Sequence, residues 1–202
     1  CNEADSVGKS FSIIGSDYCC CGKLKYGESS SDVIISLPNI AGVPMGSEIT
    51  VPVTMNSNKY ATSYEIHVIY NANKLRLRED SITEGSSSLG DNTEYGGGNL
   101  FQYDLDNGTS NKKIVKVMML ELGRWPATKL ENGELFRLNF DVLLPTINED
   151  LKIDNIKFLD PNLNELSYEV KRIPLSEELI KVKPAICRFA DRIPIIKKLY
   201  NC

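Results

Sequence analysis

The chain has 202 residues, 42% of them hydrophobic and 25% charged, with a formal net charge of −4. That balance belongs to an ordinary globular domain with one sizeable core and modest extensions. The richest apolar stretch, Val115 to Leu122, is interrupted by Glu121 and falls far short of the roughly 20 residues a membrane-spanning helix requires.

In chain order, the first segment is dominated by cysteine. The chain begins at Cys1 rather than Met, which points to signal-peptide removal and an exported protein; lipid on the Cys1 sulfur is the minority reading, because it leaves an odd number of thiols. "KSFSIIGS" (9–16) is short, apolar and flanked by Gly and Ser, so Phe11, Ile13 and Ile14 suit addition to a sheet edge, of this chain or of a neighbouring subunit. Cys19, Cys20 and Cys21 are adjacent, and the other three cysteines are Cys1, Cys187 and Cys202. A disulfide wants Cα atoms roughly 4.4–6.8 Å apart with converging Cβ vectors, which neighbouring residues do not readily supply. Three clustered sulfurs facing three outside the cluster therefore predict disulfides in an oxidising compartment, with connectivity left open and either intra- or inter-chain. A metal site is the weaker alternative, since zinc and iron–sulfur ligands are usually separated by spacers.

Strands follow. "EITVPVTM" (48–55) sets Ile49, Val51, Val53 and Met55 on one side, and "SYEIHVIY" (63–70) does the same with Tyr64, Ile66, Val68 and Tyr70. His67, the only histidine, falls on the opposite, outward side and is read as a surface residue. "NLFQYDLD" (99–106) offers Phe101, Tyr103 and Leu105 as an inward set, and "GELFRLNFDVL" (133–143) offers Phe136, Leu138, Phe140 and Val142. "LKIDNIKFLD" and "LSYEV" close the series, and Asn/Asp/Gly clusters such as "NSNK", "YNAN", "DNGTSN", "ENG" and "DPNLN" supply the reversals. Short strands separated by such turns predict an all-β, antiparallel sandwich.

Strand 113–122, "KIVKVMMLEL", differs from the rest. Val115, Val117 and Met119 lie on one face and Ile114, Met118, Leu120 and Leu122 on the other, with Lys116 the only break. An apolar outer face implies a cover, either an extension of the same chain or a partner. Ile114, Met118 and Leu120 are thus candidate interface residues, with Phe11, Ile13 and Ile14 as candidates for the covering strand.

Several other features carry chemistry less directly. "DLDNG" (Asp104, Asp106, Asn107) and "DPNLNE" (Asp160, Asn162, Asn164, Glu165) place side-chain oxygens at alternating positions, the pattern that lets one loop surround calcium. Hairpin turns use the same residue types for backbone reasons alone, and the plain turn is the favoured reading. Asn107-Gly108-Thr109 is a glycosylation sequon. Trp125 suits either a sugar platform or, preferably, packing over the end of the sandwich. No acid sits in a catalytic motif and no phosphate loop is present, so the expectation is a non-enzyme without an obligate cofactor. Residues 171–202 hold eight basic and three acidic side chains. Their interleaving with apolar residues and cysteines favours docking on an acidic body over nucleic-acid binding.

The strand-and-turn pattern "ISLPNIAGVPMGSEITVPVTMNSNKYATSYEIHVIYNANKLRL" (35–77), followed by 111–143 and "FLDPNLNELSYEV" (158–170), resembles the cohesin domain over residues 33–171. The resemblance implies a jelly roll of about nine strands, related to carbohydrate-binding modules, whose sheet face captures dockerin domains at the cell surface. It divides the chain into a cysteine-rich extension (1–32), a cohesin-like sandwich (33–171) and a basic extension (172–202). The functional expectation is a non-catalytic extracellular or cell-surface assembly module, first a homo-oligomer or polymer, as a self-assembling subunit of a surface appendage, fibre or layer joined through its termini and stabilised by disulfides. A receptor for a dockerin-bearing protein is the second reading, and a polysaccharide-binding module the third.

Overall fold

The computed structural model describes residues 18–19, 22–23, 31–78, 82–87, 98–109, 111–122 and 130–182. The chain divides into two compact units, 1–30 and 31–202. In the first, β1 (Tyr18–Cys19) and β2 (Gly22–Lys23) pair antiparallel, with Cys19 opposite Gly22.

The second unit is a sandwich. Its strands are β3 (Val33–Asn39), β4 (Ser47–Ser57), β5 (Ser63–Asn71), β6 (Leu75–Leu77), β7 (Thr83–Glu84), β8 (Gly98–Thr109), β9 (Lys112–Leu122), β10 (Gly133–Val142), β11 (Leu151–Leu159), β12 (Tyr168–Pro174) and β13 (Ile180–Val182). One sheet runs β12-β3-β4-β10-β6, with β13 beside β4 and β7 beside β10; the other runs β11-β5-β9-β8. Among the described residues this unit has eleven strands against the roughly nine expected, and β6, β7 and β13 are short, at three, two and three residues.

Period-two alternation explains the layers. Ile49, Val51, Val53 and Met55 of β4 are buried against Tyr64, Ile66, Val68 and Tyr70 of β5, and Val115, Val117 and Met119 of β9 join them. Aromatic rings bridge the two sheets: Tyr64 stacks on Phe136 at 6.2 Å and Tyr70 meets Phe140 edge-on at 5.2 Å, while within the four-stranded sheet Tyr64 tilts against its cross-strand neighbour Phe158 at 6.0 Å. The buried Tyr64 hydroxyl donates to the Leu135 carbonyl (3.2 Å), so its polar end is satisfied within the core.

One inward assignment fails. Tyr103 was expected inside with Phe101 and Leu105, but it is 44% exposed. Its strand, β8, is the edge of the narrower sheet, where an inward-pointing side chain has less of the opposing layer to pack against.

The fold closes on itself through a parallel pair, β3 with β12, from Tyr168 opposite Val33 to Pro174 opposite Asn39. At its start the Asp32 carboxylate accepts from the Ser167 amide (3.0 Å) and hydroxyl (2.8 Å). At its far end Arg172 spans the layers, donating to the Pro38 carbonyl of β3 and to the Asn148 and Leu151 carbonyls leading into β11. The sheet continues past residue 171: β12 runs to Pro174, and β13 lies beside the first residues of β4, Ile180 opposite Ile49.

Candidate functional site

The four-stranded sheet turns one face to the core and the other outward. Its register places residues from β5, β9 and β8 side by side in rows. Leu120 faces Leu100; Glu65, Met118 and Gln102 form the next row; then His67, Lys116 and Asp104; then Ile69, Ile114 and Asp106. On the other side β11 adds Lys157 beside Glu65, Asn155 beside His67 and Lys152 beside Ile69. A bulge between Ile153 and Asn155 keeps both lysines on the outward side while Ile156 and Phe158 stay buried.

The outer face is therefore apolar at both ends and polar across the middle. Leu100, Met118, Ile69 and Ile114 are half-buried and Leu120 is 38% exposed. Neighbouring side chains pack against one another on a flat sheet, which leaves them half-covered but still presentable to a partner. In the middle row the His67 ring nitrogen Nε2 lies 2.6 Å from Glu65 Oε1, and Lys116 Nζ donates to Asp106 Oδ2 at 3.3 Å.

The three expected interface residues of β9 thus share one surface, and Val115, Val117 and Met119 are fully buried beneath it. Two apolar members were missed by the sequence reading. Ile69 breaks the alternation of "SYEIHVIY", in which the other apolar residues point inward, and Leu100 precedes the inward Phe101; either irregularity could have marked them.

The acidic turn after β11 is occupied by its own backbone. Asp160 Oδ1 accepts from the amides of Asn162 and Asn164, each at 2.8 Å, and Oδ2 accepts from the Asn164 side chain at 3.0 Å. Hydrogen bonds from Asn164 and Asn162 hold the Asp160 carboxyl below the usual carboxylate range. Among the described residues no group of three or more His, Cys, Asp or Glu side chains is placed to hold a metal ion. Cys1, Cys20, Cys21, Cys187, Cys202, Phe11, Ile13, Ile14 and Trp125 lie outside the described residues, as do the side chains of Cys19 and Asn107.

A sandwich that presents one mixed apolar and polar sheet face is a protein-interaction module in form. The cohesin domain profile matches residues 33–171, and the chain belongs to the cohesin family, a family of non-catalytic protein–protein interaction modules. No curated protein matches the sequence. Among solved structures it is similar to the second type II cohesin module of the adaptor ScaA scaffoldin of Acetivibrio cellulolyticus, with TM-score 0.53, 15% identity, and coverage of 83% of this chain and 99% of that one. It is also similar to a type II cohesin–X-dockerin complex from Acetivibrio cellulolyticus, with TM-score 0.52, 14% identity, and coverage of 69% and 95%. The type I Coh-OlpC–Doc435 cohesin–dockerin complex from Clostridium thermocellum gives TM-score 0.52, 11% identity, and coverage of 73% and 94%. At these identities the likeness is one of fold.

Proposed function

We propose that the chain is an extracellular or cell-surface receptor module that captures a dockerin-type partner on the outer face of β11-β5-β9-β8. The observation that carries this reading is the clustering of Leu100, Met118, Leu120, Ile69 and Ile114 on one partly open sheet face. Family membership supplies the kind of partner, and two of the similar structures are cohesin–dockerin complexes. The cysteine distribution supports an oxidising location.

Titration calorimetry with type I and type II dockerin modules tests the reading. Wild-type protein is expected to bind at least one of them, and Met118→Lys with Leu120→Lys to lose that binding while retaining the thermal midpoint. Failure of every dockerin to bind, or unchanged binding by the double variant, overturns it. End-to-end assembly through the terminal segments is a second reading, supported by cysteines at both ends of the chain. Sedimentation of the full chain and of a chain lacking residues 1–30 separates the two: assembly through the N-terminal segment is lost with it, whereas dockerin capture survives.

A further inference from the structure

The wider sheet ends at β12, which among the described residues pairs with β3 alone. In a parallel ladder, alternate residues turn their N–H and C=O toward the neighbouring strand and the others turn theirs away. The Ser167 carbonyl accepts from the Val33 amide at 3.0 Å, and Val33 stands opposite Tyr168. The backbones of Glu169, Lys171 and Ile173 therefore face β3, while those of Tyr168, Val170 and Arg172 face outward along the edge. The side chains of these last three lie on the core side of the sheet, in line with the fully buried Val33, Ile35 and Leu37. Yet Tyr168 is 42% and Val170 41% exposed, because no strand lies beyond them among the described residues.

This edge is complementary to itself. Two copies of β12 laid antiparallel about a two-fold axis at Val170 bring Val170 against Val170, Tyr168 against Arg172 and Glu169 against Lys171. The first two pairings join outward-facing backbone groups, so the hydrogen-bonded ladder forms with the charges in step. On the outer face Glu169 and Lys171 of each copy then alternate in sign around a square; within one copy they already lie 3.6 Å apart. On the inner face each Tyr168 ring comes beside the second copy's Arg172, a guanidinium that the carbonyls of Pro38, Asn148 and Leu151 hold in place. A slip of two residues either way sets Glu169 against Glu169 or Lys171 against Lys171, and like charges directly opposite are destabilising. Charged edges ordinarily discourage pairing; here the charges discourage the neighbouring registers and favour this one. Pro174, which has no N–H to offer, ends the strand.

We infer that the chain forms a two-fold dimer with a second copy through antiparallel β12–β12 pairing, which joins the two wider sheets into one. A contact of one short strand per copy is small, so the dimer is weak and reversible. It lies on a different sheet from the proposed dockerin face and does not use the terminal segments, so it stands apart from both readings above.

Sedimentation velocity of the full chain across a dilution series, with reductant present, is the test. Wild-type protein is expected to pass from monomer to dimer as its concentration rises. Lys171→Glu and Glu169→Lys are each expected to weaken self-association roughly 10-fold or more, since two facing pairs turn repulsive, with the thermal midpoint unchanged. Mixed in equal amounts, the two variants form a mixed dimer, because every facing pair is again opposite in charge. The double variant Glu169→Lys/Lys171→Glu dimerises as wild type does. A wild type that is monomeric throughout, a dimer that either reversal leaves intact, or single variants that dissociate without rescue in the mixture overturns the pairing. A dimer lost with residues 1–30 but indifferent to Lys171→Glu overturns it in favour of the N-terminal segment.

Discussion

Leu163 has a φ of 63° and is 75% exposed at the tip of the turn between β11 and β12. A left-handed conformation costs a branched L-residue about 1 kcal/mol, and here the cost is not offset by burial. The turn holds it there: the Leu163 amide donates to the Asp160 carbonyl (3.0 Å), and the Asp160 amide to the Asn164 carbonyl (2.9 Å). Leu163→Asn or Leu163→Gly is therefore expected to raise the thermal midpoint, by about 2–4 °C if the full strain is relieved in a domain of this size; a fall in calorimetry would show that the leucine makes contacts that matter more. Asp150 is the opposite case. Its side chain is 5% exposed; Oδ2 accepts from Lys74 Nζ (2.8 Å) and the Ile147 amide (2.8 Å), and Oδ1 from Asn71 (2.9 Å). Burial pushes its carboxyl up, but these hydrogen bonds and the Lys74 charge outweigh it and leave the group below the ordinary carboxylate range. A lowered folded-state pKa means stability that is present above the unfolded carboxylate value of about 3.9 and is lost as pH falls through the folded value. Asp150→Ala should destabilise by about 3 kcal/mol near neutral pH, since it strands a half-buried ammonium. The gap to wild type should narrow in urea melts carried out in acid, and a gap that widens with acid would contradict the assignment.

At the scale of an element, β9 shows how one-residue alternation separates folding from binding. Met119 is fully buried and Met118, its neighbour, is half-buried on the outer face. Met119→Lys buries an unpaired charge and is expected to unfold the domain, whereas Met118→Lys leaves the thermal midpoint within about 2 °C, because a charge on a half-open surface stays hydrated. Circular dichroism melts of the two variants distinguish them, and an unfolded Met118→Lys would show that this face is interior. β7 depends on a close approach instead. A Cβ added to Gly85 would sit 2.1 Å from the Glu134 carbonyl oxygen, so Gly85→Ala should push β7 off β10 and expose the amides of Gly85 and Ser87, which bond Leu135 and Glu134, to hydrogen exchange. The sandwich and the inward faces of β4, β5, β9 and β10 were legible in sequence because burial on one face imposes a strict period of two. Tyr103 was not, since alternation tells which side a residue takes but not whether the opposing layer reaches it. Ile69 and Leu100 were missed because each is apolar beside an inward apolar residue, and only the register across strands shows that they meet Ile114 and Leu120. β7 and β13 are two and three residues long, too short to show any period.

For the whole molecule, the question is where the folded unit ends. The cohesin profile stops at residue 171, yet the chain continues through β12 to Pro174 and returns as β13 against the start of β4, pairing Ile180, Lys181 and Val182 with Ile49, Glu48 and Ser47. β3 pairs with the far half of β4, Val33 to Ser36 against Ser57 to Thr54, so β13 takes the length of β4 that β3 leaves open. Leu175 and Ile180 also pack, partly buried, against the core. The fragment 31–182 contains no cysteine, so its stability can be measured without any disulfide, and it keeps the Asp32–Ser167 contact that starts the parallel closure. It is expected to fold cooperatively. Cutting instead after residue 174 removes β13, frees the backbone groups of Ser47 to Ile49 on that side and uncovers part of the core. From a few lost ladder hydrogen bonds at about 1 kcal/mol each and two partly buried aliphatic side chains, the cost should be about 3 kcal/mol. Urea unfolding of 31–182 and 31–174, compared at equal slope, gives the difference directly. Equal midpoints would place the end of the folding unit at β12 and reduce β13 to an accessory of the tail, whereas a lower midpoint for the shorter fragment makes it the last structural strand of the sandwich.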